Sequence, residues 1–170
     1  MPYTFVDAAA KISLRILVFG PDPKSATLSP ASRNGKLASK RLEIRDWLAN
    51  QGHEAVFPED VYSAVPPAPN IAAQEVMMMK YFDFIVVLVD SPGSIVELGV
   101  LSTHSDLAGK THAFIDKTYS GGYAYVSCEL LRTLNGDFTQ YTFPDDLDGC
   151  TLKRWVAQTV SKLQLIRYLA

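Results

Sequence analysis

The apolar run at residues 84–89, Phe-Ile-Val-Val-Leu-Val, constrains the fold more than any other segment of this chain. All six side chains are apolar and four are β-branched, so the segment favours a strand over a helix. A strand that is apolar on both faces has to be covered by helices on both sides, as a central strand of a parallel sheet is. The run ends at Asp90, directly before a Ser-Pro-Gly turn. We therefore predict an α/β fold built around this strand.

Shorter strand and helix patterns alternate on either side of this run. β-rich segments predict four more strands, at residues 14–19, 53–57, 111–115 and 138–143. Helical periodicity and helix caps predict helices at residues 33–51, 70–81, 91–105, 125–134 and 152–168. Such alternation forms right-handed βαβ units. We predict one domain over residues 1–170, a doubly wound three-layer sandwich with a mainly parallel five-stranded sheet in flavodoxin-like order, and a flexible lead-in at residues 1–11.

The composition of the chain argues against several classes of function. The 170 residues are 48% apolar and 20% charged, as in an ordinary globular domain. A net charge of −2 argues against nucleic-acid and anionic-membrane partners, and no apolar run is long enough to span a membrane. Cys128 and Cys150 form no Cys-x-x-Cys pair, and the three histidines lack zinc-ligand spacing. We expect a reduced, cytoplasmic protein without a signal peptide, a metal or a cofactor.

The turn at residues 91–99, Ser-Pro-Gly-Ser-Ile-Val-Glu-Leu-Gly, is the first candidate for chemistry. It places Glu97 just beyond the carboxyl end of the central strand, in the first turn of a helix, where open α/β sheets bind ligands. The positive end of that helix is expected to help keep Glu97 ionised. A structural alternative is a capping box between Ser94 and Glu97, although Ser91 followed by Pro92 is an equally good cap.

A second carboxylate, Glu75, interrupts the apolar face of the helix at residues 70–81. Ile71, Met78 and Phe82 form the rest of that face. An ionised carboxylate on a buried face is costly unless it is paired, and such placements are enriched at functional sites. The structural alternatives are that Glu75 reaches solvent or pairs with Arg45. Two acids on helices that flank one strand suit chemistry at an anomeric carbon.

Three segments resemble the nucleoside 2-deoxyribosyltransferase-like group of N-glycosidases, which are relatives of the TIR-type NAD hydrolases. They are residues 18–22 (Val-Phe-Gly-Pro-Asp), 82–87 (Phe-Asp-Phe-Ile-Val-Val) and 93–99 (Gly-Ser-Ile-Val-Glu-Leu-Gly), and the resemblance covers residues 12–118. It implies that Glu97 is the nucleophile that attacks the sugar C1′ carbon. It also implies that Gly20, Pro21 and Asp22 contact the sugar or base, and that the protein is a homodimer or larger homo-oligomer.

One position departs from that family. Many of its members carry an aspartate six residues before the glutamate, whereas this chain has Ser91 there. The departure puts base exchange in doubt and favours another leaving group or plain hydrolysis. The expected function is therefore cleavage, or transfer, at the base–sugar bond of a nucleoside, nucleotide or NAD-like molecule.

Glu97 and Glu75 are the expected catalytic residues. Besides the first-strand loop, Ser91, Gly93 and Ser94 are expected to bind the substrate, and Lys24 or Arg33 to contact a phosphate. The alternative is a non-catalytic nucleotide-sensing domain, in which Ser91, Gly93 and Ser94 donate to a phosphate at the helix amino terminus.

Other enzyme classes lack their motifs in this chain. No Gly-x-Gly-x-x-Gly turn, Walker-type loop or Gly-x-Ser-x-Gly elbow is present. A phospho-receiver domain with Asp90 as acceptor would need an acidic pair after the first strand and a lysine after the last. Asp22 is a lone candidate for the pair, and no lysine stands directly after Phe143, the end of the last predicted strand.

Overall fold

The central apolar run forms the middle strand of a five-stranded parallel sheet. A computed structural model describes residues 5–64, 71–148 and 150–170. The strands are β1 (Arg15–Phe19), β2 (Glu54–Val56), β3 (Phe84–Val89), β4 (Thr111–Asp116) and β5 (Asp137–Tyr141). Their order is β2-β1-β3-β4-β5, and every pairing is parallel. The predicted fold class and flavodoxin-like order are confirmed.

Ten helices connect and cover the strands in the described part of the chain. They are α1 (Phe5–Ala9), α2 (Ser25–Leu28), α3 (Arg33–Asn50), α4 (Pro58–Ala64), α5 (Ile71–Tyr81), α6 (Pro92–Leu101), α7 (Ser105–Ala108), α8 (Tyr123–Thr133), α9 (Asp145–Asp148) and α10 (Thr151–Leu169). None of these helices is long and apolar enough to cross a membrane.

Strand β3 contributes to two separate cores because its side chains alternate between the faces of the sheet. Phe84, Val86 and Leu88 pack with α3, α9 and α10. Ile85 and Val87, with Val89, pack with α5, α6, α7 and α8. These two helix layers and the sheet form the three-layer sandwich. Strand order reverses between β1 and β3, so the crevice outside their carboxyl ends is the expected ligand site.

Helix α6 is shorter than predicted. The helix expected to continue to residue 105 ends at Leu101, and α7 starts separately at Ser105. Two side chains beyond α6 contact the carbonyl oxygen of Val100 near its end: Thr103 Oγ1 donates to it at 2.9 Å, and His104 Nδ1 lies 2.9 Å from it. Such local bonds compete with the backbone hydrogen bonds that would continue a helix.

Three short helices lie in segments that the sequence analysis left as loop or lead-in. Helix α1 lies within the expected lead-in, where Ala9 is buried and Gln164 of α10 donates to the carbonyl oxygens of Ala10 and Ile12 at 3.1 and 2.9 Å. Helices α2 and α4 lie within the two proline-rich loops. Helix α4 carries Glu59 and Tyr62.

Candidate active site

Helix α6 begins with a serine cap that leaves Glu97 without a capping role. The Ser91 hydroxyl accepts from the Ser94 backbone N–H at 3.2 Å, and the Ser94 hydroxyl accepts from the Ser91 backbone N–H at 3.0 Å. Pro92 occupies the first helical position. The alternative capping box between Ser94 and Glu97 is therefore wrong. Glu97 lies in the second turn of α6, rather than in the predicted first turn.

The Glu97 carboxylate is partly buried and has no ion pair or hydrogen bond among the residues that the structure describes. Burial is the main reason that its pKa rises to about 7. The nearby carboxylates of Glu59 and Glu75 raise it further, and the positive charge of Arg41 opposes them. Glu97 is therefore only partly ionised at pH 7, although its position near a helix amino terminus was expected to help keep it ionised.

Glu75 lies close enough to Glu97 for their charges to interact. The Tyr62 hydroxyl of α4 is within hydrogen-bonding reach of Glu75. Burial raises the pKa of Tyr62, and the charges of Glu75 and Glu97 raise it further. Arg45, the alternative partner considered for Glu75, instead pairs with Asp46 at 2.7 Å. Helices α4, α5 and α6 thus bring two acids and a phenol together.

A buried arginine that the sequence analysis missed organises the neighbouring loop. Arg41 of α3 is 1% exposed. Its guanidinium donates at 2.8–3.1 Å to the carbonyl oxygens of Val18, Gly20 and Pro21. It also donates to both carboxylate oxygens of Glu59, at 2.8 and 2.7 Å. Glu59, Glu75, Glu97, Tyr62 and Arg41 are called the acid cluster below.

The loop after β1 contacts the acid cluster mainly through its backbone carbonyl groups. A Cβ atom at Gly20 would lie 3.1 Å from Leu88 Cβ and 3.2 Å from Arg41 Cδ, so glycine permits the close approach of the loop to β3. The Gly20 and Pro21 carbonyl groups are the acceptors held by Arg41. Asp22 is exposed and accepts from the Lys24 backbone N–H at 2.9 Å. Its carboxylate therefore stabilises a turn.

The three residues expected to bind the substrate at the start of α6 differ in how free their polar groups are. Ser94 is 1% exposed, and its hydroxyl accepts from the backbone N–H groups of Asp90 and Ser91, each at 3.0 Å. Its hydrogen-bonding capacity thus serves the cap. Ser91 is half-buried and Gly93 is exposed. A Cβ atom at Gly93 would meet nothing closer than the Ser91 hydroxyl at 3.9 Å, so sterics do not require glycine there.

Two cavities adjoin the acid cluster, although Glu97 lines neither of them. The first, called the apolar cavity below, has a volume of about 380 Å³ and lies between β2, α4 and α5. Its lining includes Val56, Val61, Tyr62, Met77, Met78 and Tyr81. The second has a volume of about 430 Å³ and is lined by Asp22, Lys24, Arg45 and Glu59, among others. Tyr62 and Glu59 therefore link the cluster to one cavity each.

A second group of charged and polar side chains lies at the same edge of the sheet, at the carboxyl ends of β3, β4 and β5. Arg33, expected as a phosphate contact, instead binds the Asp90 carboxylate and pairs with Asp116 at 2.7 Å, in a geometry unsuited to a hydrogen bond. The Tyr119 hydroxyl donates to Asp90 at 3.2 Å. The Tyr141 hydroxyl, which is fully buried, has no hydrogen-bond partner among the described residues. These five residues are called the arginine cluster below.

Tyr62, Glu59 and Arg41 are the members of the acid cluster that sequence reasoning missed. Helix α4 had a start signal, because Pro58 at the first position and two acids in the first turn are typical of helix amino termini. That signal could have placed Glu59 and Tyr62 on a helix. Arg41 had no such signal, since its burial results from contacts with the β1 loop, which is distant in sequence.

Residues with metal-binding side chains form no grouping that could hold an ion within residues 5–64, 71–148 and 150–170. Both cysteines are free: Cys128 is buried and Cys150 is exposed. Burial is the main cause that raises the pKa of the Cys128 thiol, to about 12. The thiol of Cys128 is therefore protonated and unreactive at neutral pH.

The comparison with family models identifies the wider group of this protein. The model of the STM3845 retron effector protein family matches residues 37–163. The chain belongs to this family. The part that matches the retron effector family runs from α3 to α10, so it includes the whole acid cluster and Asp90 and Asp116, but neither β1 nor Arg33. No curated protein matches the chain significantly.

Proposed function

We propose that this protein cleaves the N-glycosidic bond of a nucleoside, nucleotide or NAD-like molecule, with Glu97 as the nucleophile or as the stabiliser of the sugar cation. The observation that carries the proposal is the carboxylate of Glu97. It is partly buried, has no neutralising partner among the described residues, and interacts with Glu75 and Tyr62. Its helix begins beside the crevice where strand order reverses.

The chemistry requires an ionised Glu97. One carboxylate oxygen forms a bond to the C1′ carbon of the sugar while the C1′–N bond breaks, and the electron pair of that bond leaves with the base. Water then attacks C1′ and releases Glu97 in a hydrolase, whereas a second base does so in a transferase. Glu75, held by Tyr62, orients a sugar hydroxyl or the base.

The raised pKa of Glu97 supports this role. A carboxylate that burial has deprived of water gains more from a nearby positive charge than a solvated one does. Positive charge develops on the sugar as the base departs. Glu97 therefore interacts more strongly with the transition state than with the ground state, and only such differential interactions accelerate the chemical step.

Two further lines of support come from the sequence. The segments at residues 18–22, 82–87 and 93–99 resemble the nucleoside 2-deoxyribosyltransferase-like N-glycosidases, and Ser91 in place of their aspartate favours hydrolysis or an unusual leaving group. The family is described as one of retron effectors, which favours a protein that acts on a target over a passive domain. We further propose that it works in the cytoplasm as a homodimer or larger homo-oligomer.

The test is to incubate the wild-type protein and Glu97→Gln with a panel of nucleosides, nucleotides and NAD, and to separate released bases by chromatography. We expect release by the wild type and a loss of about 10²- to 10⁴-fold in Glu97→Gln. Glu129→Gln, a half-exposed glutamate on α8, is the matched control and should retain full activity. Repeating the assay with a second free base distinguishes transfer from hydrolysis.

Two outcomes would contradict the proposal. If the wild type binds a nucleotide but releases no base, the protein is a sensing domain and the cleavage reaction is wrong. If release persists in Glu97→Gln, another residue is the nucleophile. In such a sensing domain Ser91 and Gly93 would be the phosphate donors at the start of α6, because the Ser94 hydroxyl is engaged in the cap.

A further inference from the structure

We infer that the apolar cavity holds the planar aromatic group of the substrate, and that it accepts a neutral or cationic ring and rejects an anionic one. The inference rests on the proposed function, because it treats the cavity as the seat of the leaving base. It goes further by naming a binding site that does not contain Glu97 and by stating the chemistry that the site selects.

Tyr62 is the physical connection between the cavity and the acids. Its ring lines the cavity, while its hydroxyl reaches Glu75 and interacts electrostatically with Glu97. A flat group that stacks against the Tyr62 ring therefore lies beside both carboxylates. The bond that joins such a group to a sugar would then lie on the Tyr62 side of the cavity, toward Glu75 and Glu97.

The lining suits a flat ring with few polar atoms. Aromatic and thioether side chains dominate it, and both make favourable contacts with aromatic faces and edges. Among the described residues, the polar groups of the lining are the side chains of Glu54 and Gln74 and the hydroxyl groups of Tyr62 and Tyr81. The volume of about 380 Å³ is typical of a small-ligand site. A base that carries many hydrogen-bonding groups would leave most of them without partners here.

The charges around the cavity select the charge of the ligand. Glu54 lines it, and Glu59, Glu75 and Glu97 all interact with Tyr62. The arginines nearby are engaged elsewhere. Arg41 is bonded to Glu59 and to backbone carbonyl groups, as described above. Arg15, which stacks on Tyr81 at the far end with 4.2 Å from its Cζ atom to the ring centroid, is paired with Asp83. The ammonium of Lys110 lies at the Phe82 end, where it donates to the Phe82 carbonyl oxygen at 2.6 Å. At the Tyr62 end, carboxylates set the local potential, which favours a cation and repels an anion.

A matched series of probes tests this selection without any turnover. Benzamidine, benzamide and benzoate share one planar ring and differ in charge, and their binding to the full chain can be measured by calorimetry. We expect benzamidine to bind most tightly, benzamide less tightly, and benzoate about tenfold more weakly than benzamide. Adenine should bind more tightly than guanine, which has more polar groups. Equal affinities across the charge series, or no binding of any probe, would overturn the inference.

Charge substitutions at the rim locate the binding site. Met77 lines the cavity and is 68% exposed, so its replacement should not disturb folding. We expect Met77→Lys to weaken benzamidine binding by about two- to fivefold, and Met77→Glu to strengthen it by a similar factor. Val126→Lys on α8 is the control, because it replaces an exposed apolar residue that does not line the cavity. If Val126→Lys weakens benzamidine binding as much as Met77→Lys does, or if both Met77 variants leave the affinity unchanged, the probes bind elsewhere and the inference is wrong.

Two measurements separate this inference from the proposed function. In the first, the wild type releases no base from any substrate, but benzamidine still binds to Glu97→Gln. This result would support the cavity as a binding site and contradict the cleavage reaction. In the second, the wild type releases a base, and the KM of that reaction is the same in Met77→Lys and Met77→Glu as in the wild type. This result would support the reaction and contradict the cavity as the binding site of the base. Light scattering covers the remaining alternative: if Met77→Lys lowers the molar mass and probe binding is absent, the cavity is a subunit interface and the inference is wrong.

Discussion

The acid cluster and the arginine cluster lie at the same edge of the sheet, and each combines carboxylates with one arginine. In the arginine cluster, Arg33 contacts both Asp90 and Asp116. In the acid cluster, Arg41 binds Glu59 and backbone carbonyl groups, and it makes no ion pair with Glu97 among the described residues. Both carboxylates of the arginine cluster therefore contact a guanidinium, whereas the acid cluster keeps Glu97 without an ion pair among the described residues.

The pKa values follow this difference. Burial alone would raise the pKa of Asp116, but the Thr118 backbone N–H and the Arg33 guanidinium outweigh it, so the pKa lies below its ordinary value. Burial of Glu97 is not offset, and its pKa rises to about 7. A paired acid stabilises the fold, while a desolvated and unpaired acid destabilises it. We infer that the arginine cluster serves the fold and that the acid cluster serves the chemistry.

Replacing one acid in each cluster by its amide gives the largest expected effect. Glu97→Gln should lower kcat/KM by about 10²- to 10⁴-fold without loss of stability, because the amide cannot act as a nucleophile. Asp116→Asn should lose stability and keep kcat/KM within about tenfold, because Asp116 lies outside the acid cluster. Steady-state kinetics and urea unfolding of both variants check this. An inactive but fully stable Asp116→Asn variant would break the division between the clusters.

Removal of the arginine at the second cluster should give the largest loss of stability. Arg33→Met leaves the buried carboxylates of Asp90 and Asp116 without their cation, at a cost of about 3–5 kcal/mol. Arg132→Met is the control, since Arg132 is half-exposed and its closest carboxylate oxygens are 3.8 Å away; it should cost less than about 1 kcal/mol. The measurement is the free energy of unfolding in urea. Similar costs for both variants would show that the arginine cluster is not a stabilising element.

The two clusters should also give opposite pH dependences of stability. The folded state raises the pKa of Glu97 from 4.5 to about 7, so ionising this group costs stability progressively between those values. Glu97→Gln should therefore match the wild type near pH 4.5 and exceed it by about 1–3 kcal/mol at pH 8. Asp116 has a lowered pKa, so its contribution is present at pH 7 and is lost on acidification. Urea unfolding across pH 4–8 measures both, and parallel pH profiles for the two variants would contradict the assignment.

The fold was predictable because its signals are local. Six apolar residues in β3 required helices on both faces, and alternation with shorter strands led to the parallel sheet. The prediction was weaker where side chains compete with backbone, as at the end of α6. It was weakest in proline-rich loops, where α4 was missed although its first turn has the usual composition of a helix start.

The candidate site was predictable only in part. Glu97 and Glu75 could be singled out because one follows the central strand and the other interrupts an apolar helix face. The charge state of Glu97 could not be deduced, since it depends on burial and on Arg41, Glu59 and Glu75, which come from three other helices. Arg41 resembles any basic residue on a helix surface, and only the folded β1 loop supplies the carbonyl groups that bury it.

The pH dependence of the reaction gives the smallest expected effect and the sharpest view of the acid cluster. If Glu97 acts as an anion, kcat/KM should rise with pH through an apparent pKa near 7 and then level off. Glu75→Gln removes a negative charge that raises the pKa of Glu97, so the rising part of the pH profile should move to lower pH. Glu129→Gln on α8 is the control and should leave the apparent pKa of this rise in kcat/KM unchanged. A rate that falls above pH 7 would mean that Glu97 donates a proton instead, and an unchanged apparent pKa in Glu75→Gln would show that the two acids do not interact during the reaction.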